Sequence, residues 1–435
     1  MESVWFKDTV SPHFEQMSGS CKTDVLIIGG GFAGLLSAYK LKARGIDCML
    51  IEKGKICHGV SGNTTAKVTL QHGLIYDRLI RTLGIERVRL YLEAERRAVE
   101  EYARLCRKID CNFERRDTAV YSLDDRAAIE READALTRLG ISAEVTDTSE
   151  LPFPTAGAVK ISGQGQLHPL KFAYGLAREL PIYEETKAEE ILPNRVKTNR
   201  GEIRYNRLII ATHFPILNKH GGYFLKMYQH RSYVLALKGA PTLTASYVDA
   251  SGNGLSFRNH GDLLLLGGGG HRTGKRGGDF DGLLCFKDKL YPDAKVVGKW
   301  ATQDCMTLDG LPYVGRYSRA TPKIYVTSGF NKWGMSSSMT AAELLCKLIV
   351  GEKCELEEIL SPSRSVLKPQ LAVNVGEAIL GLITPTVPRC PHLGCALKYN
   401  PEEHSWDCPC HGSRFAKDGE LLDNPANDDL KKKPR

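Results

Sequence analysis

The chain has 435 residues, 42% hydrophobic and 25% charged, with 59 Lys and Arg against 51 Asp and Glu for a net charge of +8. That length exceeds one compact domain, so two or three structural units are expected, with apolar residues enough to bury a core. The mild charge excess, spread out apart from Lys431-Lys432-Lys433 and without a basic–aromatic stripe, argues against a nucleic-acid partner, and no apolar run approaches the roughly 20 residues of a membrane helix.

Residues Met1 to Asp8 show no basic segment leading into an apolar one, so no secretion signal is expected. Nine of the thirteen cysteines are scattered, which suits free thiols in a reducing cytoplasm. Asp24 to Ile28 is a short branched apolar run, the mark of a buried parallel strand. Gly29-Gly30-Gly31-Phe32-Ala33-Gly34 follows and fits G-x-G-x-x-G. Leu35–Arg44 then reads as a helix closed by Gly45, and Asp47–Glu52 as the next strand. In that setting the glycines allow a tight turn and let backbone N–H groups at a helix N-terminus approach a pyrophosphate. Glu52 stands where a carboxylate binds ribose hydroxyls, which disfavours a 2′-phosphate and suits FAD or NAD.

Residues 76–151 are charged and helical in period, with Glu/Arg pairs along Glu86–Lys108. A strand-rich block ends at Arg207–Thr212. Residues 230–300 read as antiparallel strands with glycine turns at Gly267–Gly270 and Gly277–Gly278. Ile324–Gly329 reads as a strand and Thr340–Ile349 as part of a helix. Pro362, Pro369 and a low-charge stretch then lead to the last segment.

There Cys390-Pro391-His392-Leu393-Gly394-Cys395 is followed by Cys408-Pro409-Cys410-His411-Gly412-Ser413. Two cysteines and two histidines so spaced form a donor set for a tetrahedral zinc ion or an iron–sulfur cluster. Zinc leaves the glycines, Ser413 and the second cysteine pair without a role. Both boxes resemble those of Rieske proteins, C-x-H-x-G-C and C-P-C-H-G-S. The resemblance implies a [2Fe–2S] cluster with Cys390 and Cys408 on one iron and His392 and His411 on the other. It also implies a disulfide between Cys395 and Cys410. Ser413 is retained, whereas Phe415 stands where high-potential members carry a tyrosine that donates a hydrogen bond to a ligand sulfur. A potential below the family's high end is therefore expected. The stretch Val387-Pro388-Arg389 is shorter than the strands that usually precede the first box, so the module's base is expected to be either trimmed or completed by the rest of the chain.

The first 360 or so residues resemble the D-amino-acid oxidase superfamily of FAD enzymes, which includes glycine oxidase and sarcosine oxidase. Ser61-Gly62-Asn63-Thr64-Thr65-Ala66-Lys67 falls where that family wraps the flavin end of FAD. Gly165-Gln166-Leu167-His168-Pro169 resembles its entry to a helix. Asp309-Gly310-Leu311-Pro312-Tyr313-Val314-Gly315, Ser328-Gly329-Phe330 and Trp333-Gly334-Met335 resemble its flavin-contacting segments. One departure is Ala211-Thr212-His213, where the family has Ala-Thr-Gly. The resemblance implies an α/β fold over residues 1–365. A Rossmann-like FAD-binding domain (about 20–75, 155–215 and 300–355) interleaves with a β-sheet substrate domain (about 76–154 and 216–299). A small all-β Rieske domain follows at 366–435.

FAD contacts are implied at Gly29, Gly31, Phe32, Ala33, Gly34, Glu52, Lys53, Thr64, Thr65, Ala66, Gly310, Gly329, Phe330 and Gly334. Candidate catalytic or substrate residues are Arg231, Tyr233, His271, Arg272 and Lys67, with Arg231 or Arg272 holding a carboxylate bidentately. The activity implied is oxidation of a C–N bond in a small amine or amino acid. Electrons would leave one at a time through the cluster to an external carrier protein. Two other readings of the same parts are a reductase fed inward by a carrier and a non-enzymatic redox sensor.

Overall fold

The computed structural model describes residues 2–217, 220–251, 254–275, 277, 279–385 and 388–430; the Lys431–Lys433 run, Gly278 and Val387 lie outside them. Among the described residues the strands form three sheets. The first, of eight strands, carries the nucleotide-binding unit. Cys21–Ile28 lies parallel between Cys48–Ile51 and Gly201–Ile210, and Gly201–Ile210 is flanked in turn by Ile324–Ser328. Val25, Leu26 and Ile27 are fully buried because both faces of this sheet are covered, which is why the strand reads as a continuous apolar run. The helices Phe32–Ala43 and Gly334–Val350 pack against each other and against this sheet.

The second sheet has nine strands, running Lys295–Thr307, Met227–Lys238, Leu263–Arg272, Ser256–His260, Ala245–Asp249, Glu114–Ser122, Gly157–Gln166 and Lys67–Val68, with Ala143–Thr146 beside Gly157–Gln166. Residues 76–151 are thus not helical throughout. The helices Ile85–Cys106 and Arg126–Arg138 enclose the strand Glu114–Ser122, whose Ala119, Val120 and Tyr121 enter the core. The glycine run Gly267–Gly270 is not a turn. It lies within Leu263–Arg272, where a Cβ at Gly267 would stand 2.6 Å from Ser256 Oγ and one at Gly268 2.7 Å from Leu255. Close strand packing, rather than chain reversal, requires small residues there.

Met227–Lys238 and Lys295–Thr307 pair antiparallel, with Gln229 opposite Cys305, His230 opposite Asp304, Arg231 opposite Gln303 and Ser232 opposite Thr302. Successive side chains of a strand leave by opposite faces, so His230, Ser232, Thr302 and Asp304 share one face and Gln229, Arg231 and Gln303 the other.

The low-charge stretch forms the helix Pro369–Ile383, opened by a proline at its first position, where the missing N–H has no partner to lose. Its Gly381 touches the last sheet's loops closely: a Cβ there would lie 2.2 Å from Cys410 Sγ. That third sheet has four short antiparallel strands, Lys398–Asn400, Ser405–Asp407, Arg414–Ala416 and Leu421–Asp423. The architecture is mixed α/β with a small β-rich C-terminal module.

Candidate active site and metal centre

The glycine loop opens onto a cavity of about 2120 Å³, beyond the roughly 300–1,000 Å³ that a drug-sized ligand takes and large enough for a dinucleotide with a second molecule. Gly29 has φ +113°, and a Cβ there would stand 2.5 Å from Ala211 O; one at Gly34 would stand 1.9 Å from Gly29 O. No side chain fits at either position. The Glu52 carboxylate accepts from Gly30 N at 2.8 Å and Gly54 N at 3.0 Å, which fixes it at the strand end. Ser61 Oγ accepts from Phe32 N at 3.1 Å.

Of the implied FAD contacts, Gly29, Gly31, Phe32, Ala33, Glu52, Lys53, Thr64, Thr65, Gly310, Phe330 and Gly334 line the cavity. Gly34 instead packs behind the turn, Ala66 is wholly buried, and a Cβ at Gly329 would lie 2.3 Å from Thr307, so these three lie behind the cavity lining. A glycine cradle at a helix N-terminus with a fixed acid fits FAD. His213, which stands where the resembled family has glycine, takes a left-handed φ of +66°. Asn331 (φ +50°) and Lys332 (φ +73°) are also left-handed. Such strain in non-glycine residues is retained where surrounding structure enforces it. Asn331 supplies part of that enforcement, accepting from Thr307 N at 2.8 Å and donating to Gly329 O at 2.6 Å.

The five candidate substrate residues separate. Lys67 lines the cavity, its Nζ 3.1 Å from Thr65 Oγ1, and burial together with Arg258 lowers its ammonium to about 7. Tyr233 also lines the cavity, its ring stacked on His271 at 5.8 Å. His271 Nδ1 lies 3.3 Å from Gly269 O. The two arginines do not line the cavity. Arg231 is ion-paired through two nitrogens to Glu403 of the C-terminal module, both side chains under 10% exposed. Arg272 donates to Pro409 O at 3.0 Å, Cys410 O at 2.8 Å and Asn374 Oδ1 at 2.9 Å, with its guanidinium over the Tyr228 ring. Each has its hydrogen-bonding capacity committed to holding the cluster module, a use that sequence separation hides.

The two boxes form facing loops. Cys390 N donates to Cys395 O at 2.9 Å, and Cys408 N to Ser413 O at 2.8 Å. The His392 and His411 rings stand 4.9 Å apart and perpendicular. Both ring nitrogens of His392 and the Nδ1 of His411 are shielded from solvent and have no hydrogen-bond partner among the described residues. The thiols of Cys390 and Cys408 meet, and the sulfurs of Cys395, Cys408 and Cys410 lie within 4.8 Å of one another. The surrounding thiols hold Cys408 well below the ordinary thiol range. Partnerless imidazoles beside buried thiols are costly unless a metal group takes them, so this donor set fits the cluster. Cys395 and Cys410 are adjacent free thiols in the structure. Ser413 reaches Cys390, and Phe415 is fully buried in the apolar group that includes all four cysteines.

Sequence reasoning missed how the two sites join. Gln303 Nε2 donates to Gly412 O at 2.9 Å and to Gln229 Oε1 at 2.7 Å, and Gln229 Oε1 also meets His213 Nε2 at 2.9 Å. A Cβ on Gly412 would stand 2.4 Å from that of Gln229. Asn424 Nδ2 donates to Thr212 O at 2.6 Å and Phe214 O at 2.8 Å. Side chains of the flavin part thus meet the module's second box and its last loop, while among the described residues no strand of that part joins the module's four-stranded sheet. His392 and Leu393 stand in the wall of the same cavity as the glycine loop.

Comparison with known proteins agrees with this arrangement. The FAD dependent oxidoreductase family matches residues 24–348 and the Rieske [2Fe-2S] domain family residues 347–434. The Rieske 2Fe-2S iron-sulfur protein YhfW of Bacillus subtilis (strain 168) is 32% identical over 99% of this chain and 97% of its own. Gamma-glutamylputrescine oxidoreductase of Escherichia coli (strain K12) is 25% identical over 78% of this chain and 86% of its own. Among solved structures, glycine oxidase from Geobacillus kaustophilus shares the fold with a TM-score of 0.68 and 21% identity, over 79% of this chain and 99% of that one. The protein belongs to the FAD dependent oxidoreductases, as an enzyme that binds FAD and carries a Rieske domain with a [2Fe–2S] cluster at its C-terminal end.

Proposed function

We propose that the enzyme oxidises a C–N bond of a small amine or amino acid at the flavin and passes the electrons singly through the cluster to an external carrier protein. In this reading residues 1–365 form the flavin part and residues 366–435 the cluster module. Cys390, Cys408, His392 and His411 hold the irons, and the setting is cytoplasmic. Among the described residues no helix is long and apolar enough to cross a membrane. The observation that carries the reading is the shared wall: His392 borders the cavity that the glycine loop and Glu52 also border. When bound, FAD supplies a two-electron acceptor and the cluster a one-electron relay.

The chain's own residues provide the rest. The Gly29–Gly34 turn and Glu52 seat the dinucleotide, and Arg272 and Gln303 hold the second cluster box against the sheet through its backbone carbonyls. Fixed geometry of this kind favours transfer between the sites without a large domain movement. The names of the relatives, gamma-glutamylputrescine oxidoreductase and glycine oxidase, support C–N chemistry.

The test is anaerobic addition of a panel of amines and amino acids to the holoenzyme, followed by flavin absorbance and low-temperature EPR. At least one compound should bleach the flavin and then develop the rhombic signal of a reduced His-ligated cluster. Flavin that no member of the panel reduces, while a reduced carrier does so through the cluster, would reverse the direction of flow.

A further inference from the structure

With Arg231 and Arg272 committed to the cluster module, the cavity needs another group to select its substrate. The face shared by His230, Ser232, Thr302 and Asp304 supplies one. All four line the cavity, and the register sets Asp304 beside His230 and Thr302 beside Ser232. Phe330, Lys332 and Gly334 line the same cavity.

Three observations mark this ladder as a site for a cation. The Thr302 hydroxyl oxygen is buried and has no hydrogen-bond partner among the described residues, which is costly unless a ligand donates to it. Two residues along the same strand face, Asp304 presents a carboxylate in the same wall. Burial lifts that carboxyl above the ordinary aspartate value against the opposing pull of Lys332, His213 and Arg231, and a positive charge placed beside it would favour its ionised form. Finally, an ammonium has three N–H donors and no acceptor, and the carboxylate of Asp304 with the hydroxyls of Thr302 and Ser232 offers acceptors at neighbouring positions of one ladder.

We propose that Asp304, flanked by Thr302 and Ser232, is the ammonium-binding group of this cavity, so that the enzyme selects its substrate by a positive charge rather than by a carboxylate. This rests on the proposed amine oxidation and narrows it to cationic amines. Asp304 is a specificity residue in this account.

Binding can be read without turnover. tert-Butylammonium has no hydrogen on the carbon bearing nitrogen and cannot be dehydrogenated there, and pivalate is its carboxylate counterpart. Both are titrated calorimetrically into the holoenzyme and into Asp304→Asn, with FAD and cluster absorbance confirming that each protein is loaded. The wild type should bind the ammonium at least about ten-fold tighter than pivalate, and Asp304→Asn should remove that preference while leaving pivalate binding equal or stronger. Thr302→Val should weaken the ammonium about three-fold, by loss of one hydrogen bond, should Asp304→Asn fail to load. A wild type that prefers pivalate, or an Asp304→Asn protein that keeps its preference for the ammonium, overturns the assignment. Amines that bleach the flavin with no Asp304-dependent ammonium binding would sink this inference alone. Asp304-dependent binding with no amine able to bleach the flavin would sink the proposed reaction alone.

Discussion

Glu95 lies wholly inside the protein on the helix Ile85–Cys106, with His72 Nε2 3.7 Å from its carboxyl. Burial pushes that carboxyl up to about 8 and pushes His72, which stacks on Trp333 at the cavity wall, down to about 3. Both are therefore neutral near pH 7, and the proton resides on Glu95. A carboxyl raised on folding contributes stability that is complete below the unfolded value and is lost as pH rises through the folded one. Glu95→Gln should remove that loss, so its unfolding free energy, measured by denaturant titration, should gain on the wild type steadily between pH 5 and pH 8, by an amount on the order of a few kcal/mol across the range. A pH-independent difference between the two proteins would place the carboxyl at its ordinary value. At the cluster, Phe415 is fully buried among the cysteines and cannot donate a hydrogen bond. Phe415→Tyr should raise the midpoint potential within the Rieske span of about −150 to +300 mV, as an EPR-monitored redox titration would measure. An unchanged potential with an intact cluster would mean that a hydroxyl there does not reach a ligand sulfur.

The antiparallel ladder of Met227–Lys238 and Lys295–Thr307 is the element that joins the sites: one face lines the cavity while the other carries Gln229, Arg231 and Gln303 toward the cluster module. Arg231→Ala would leave the buried Glu403 with only Arg414, 3.1 Å away, for a counter-charge. The temperature at which cluster absorbance is lost should fall, for a cost of about 3 kcal/mol, while the substrate concentration for half-maximal flavin reduction stays unchanged. A selective loss of substrate affinity would return Arg231 to the substrate site.

The same ladder shows where sequence reading stops. The Gly29–Gly34 turn and both cluster boxes were legible because local spacing dictates their geometry. The partners of Arg231 and Arg272, Glu403 and Pro409, were not legible because they lie well over a hundred residues away and no local pattern announces a contact across modules. Asp304 was not singled out because Thr302-Gln303-Asp304-Cys305-Met306 carries no apolar–polar alternation; only its strand pairing shows which face it shares. Gly267–Gly270 resembled a turn because glycines punctuate loops; here tight packing against neighbouring strands demanded them.

For the molecule as a whole, the glycine cradle for FAD and a part of the first cluster box border one cavity. The two should separate genetically. Gly31→Val, whose side chain would crowd Ser61 Oγ where the pyrophosphate approaches, should abolish FAD binding and leave a cluster that substrate cannot reduce. Cys408→Ser should damage the cluster and leave the Gly29–Gly34 cradle intact. The most direct measurement is an anaerobic rapid-mixing experiment on wild type and Cys408→Ser with a reducing amine, following flavin absorbance to completion and then supplying a one-electron acceptor protein. The account predicts that both proteins bleach their flavin at similar rates in the first turnover, and that only the wild type goes on to reduce the acceptor. A Cys408→Ser protein that reduces the acceptor as fast as the wild type would contradict it, because the cluster would then lie off the path of the electrons.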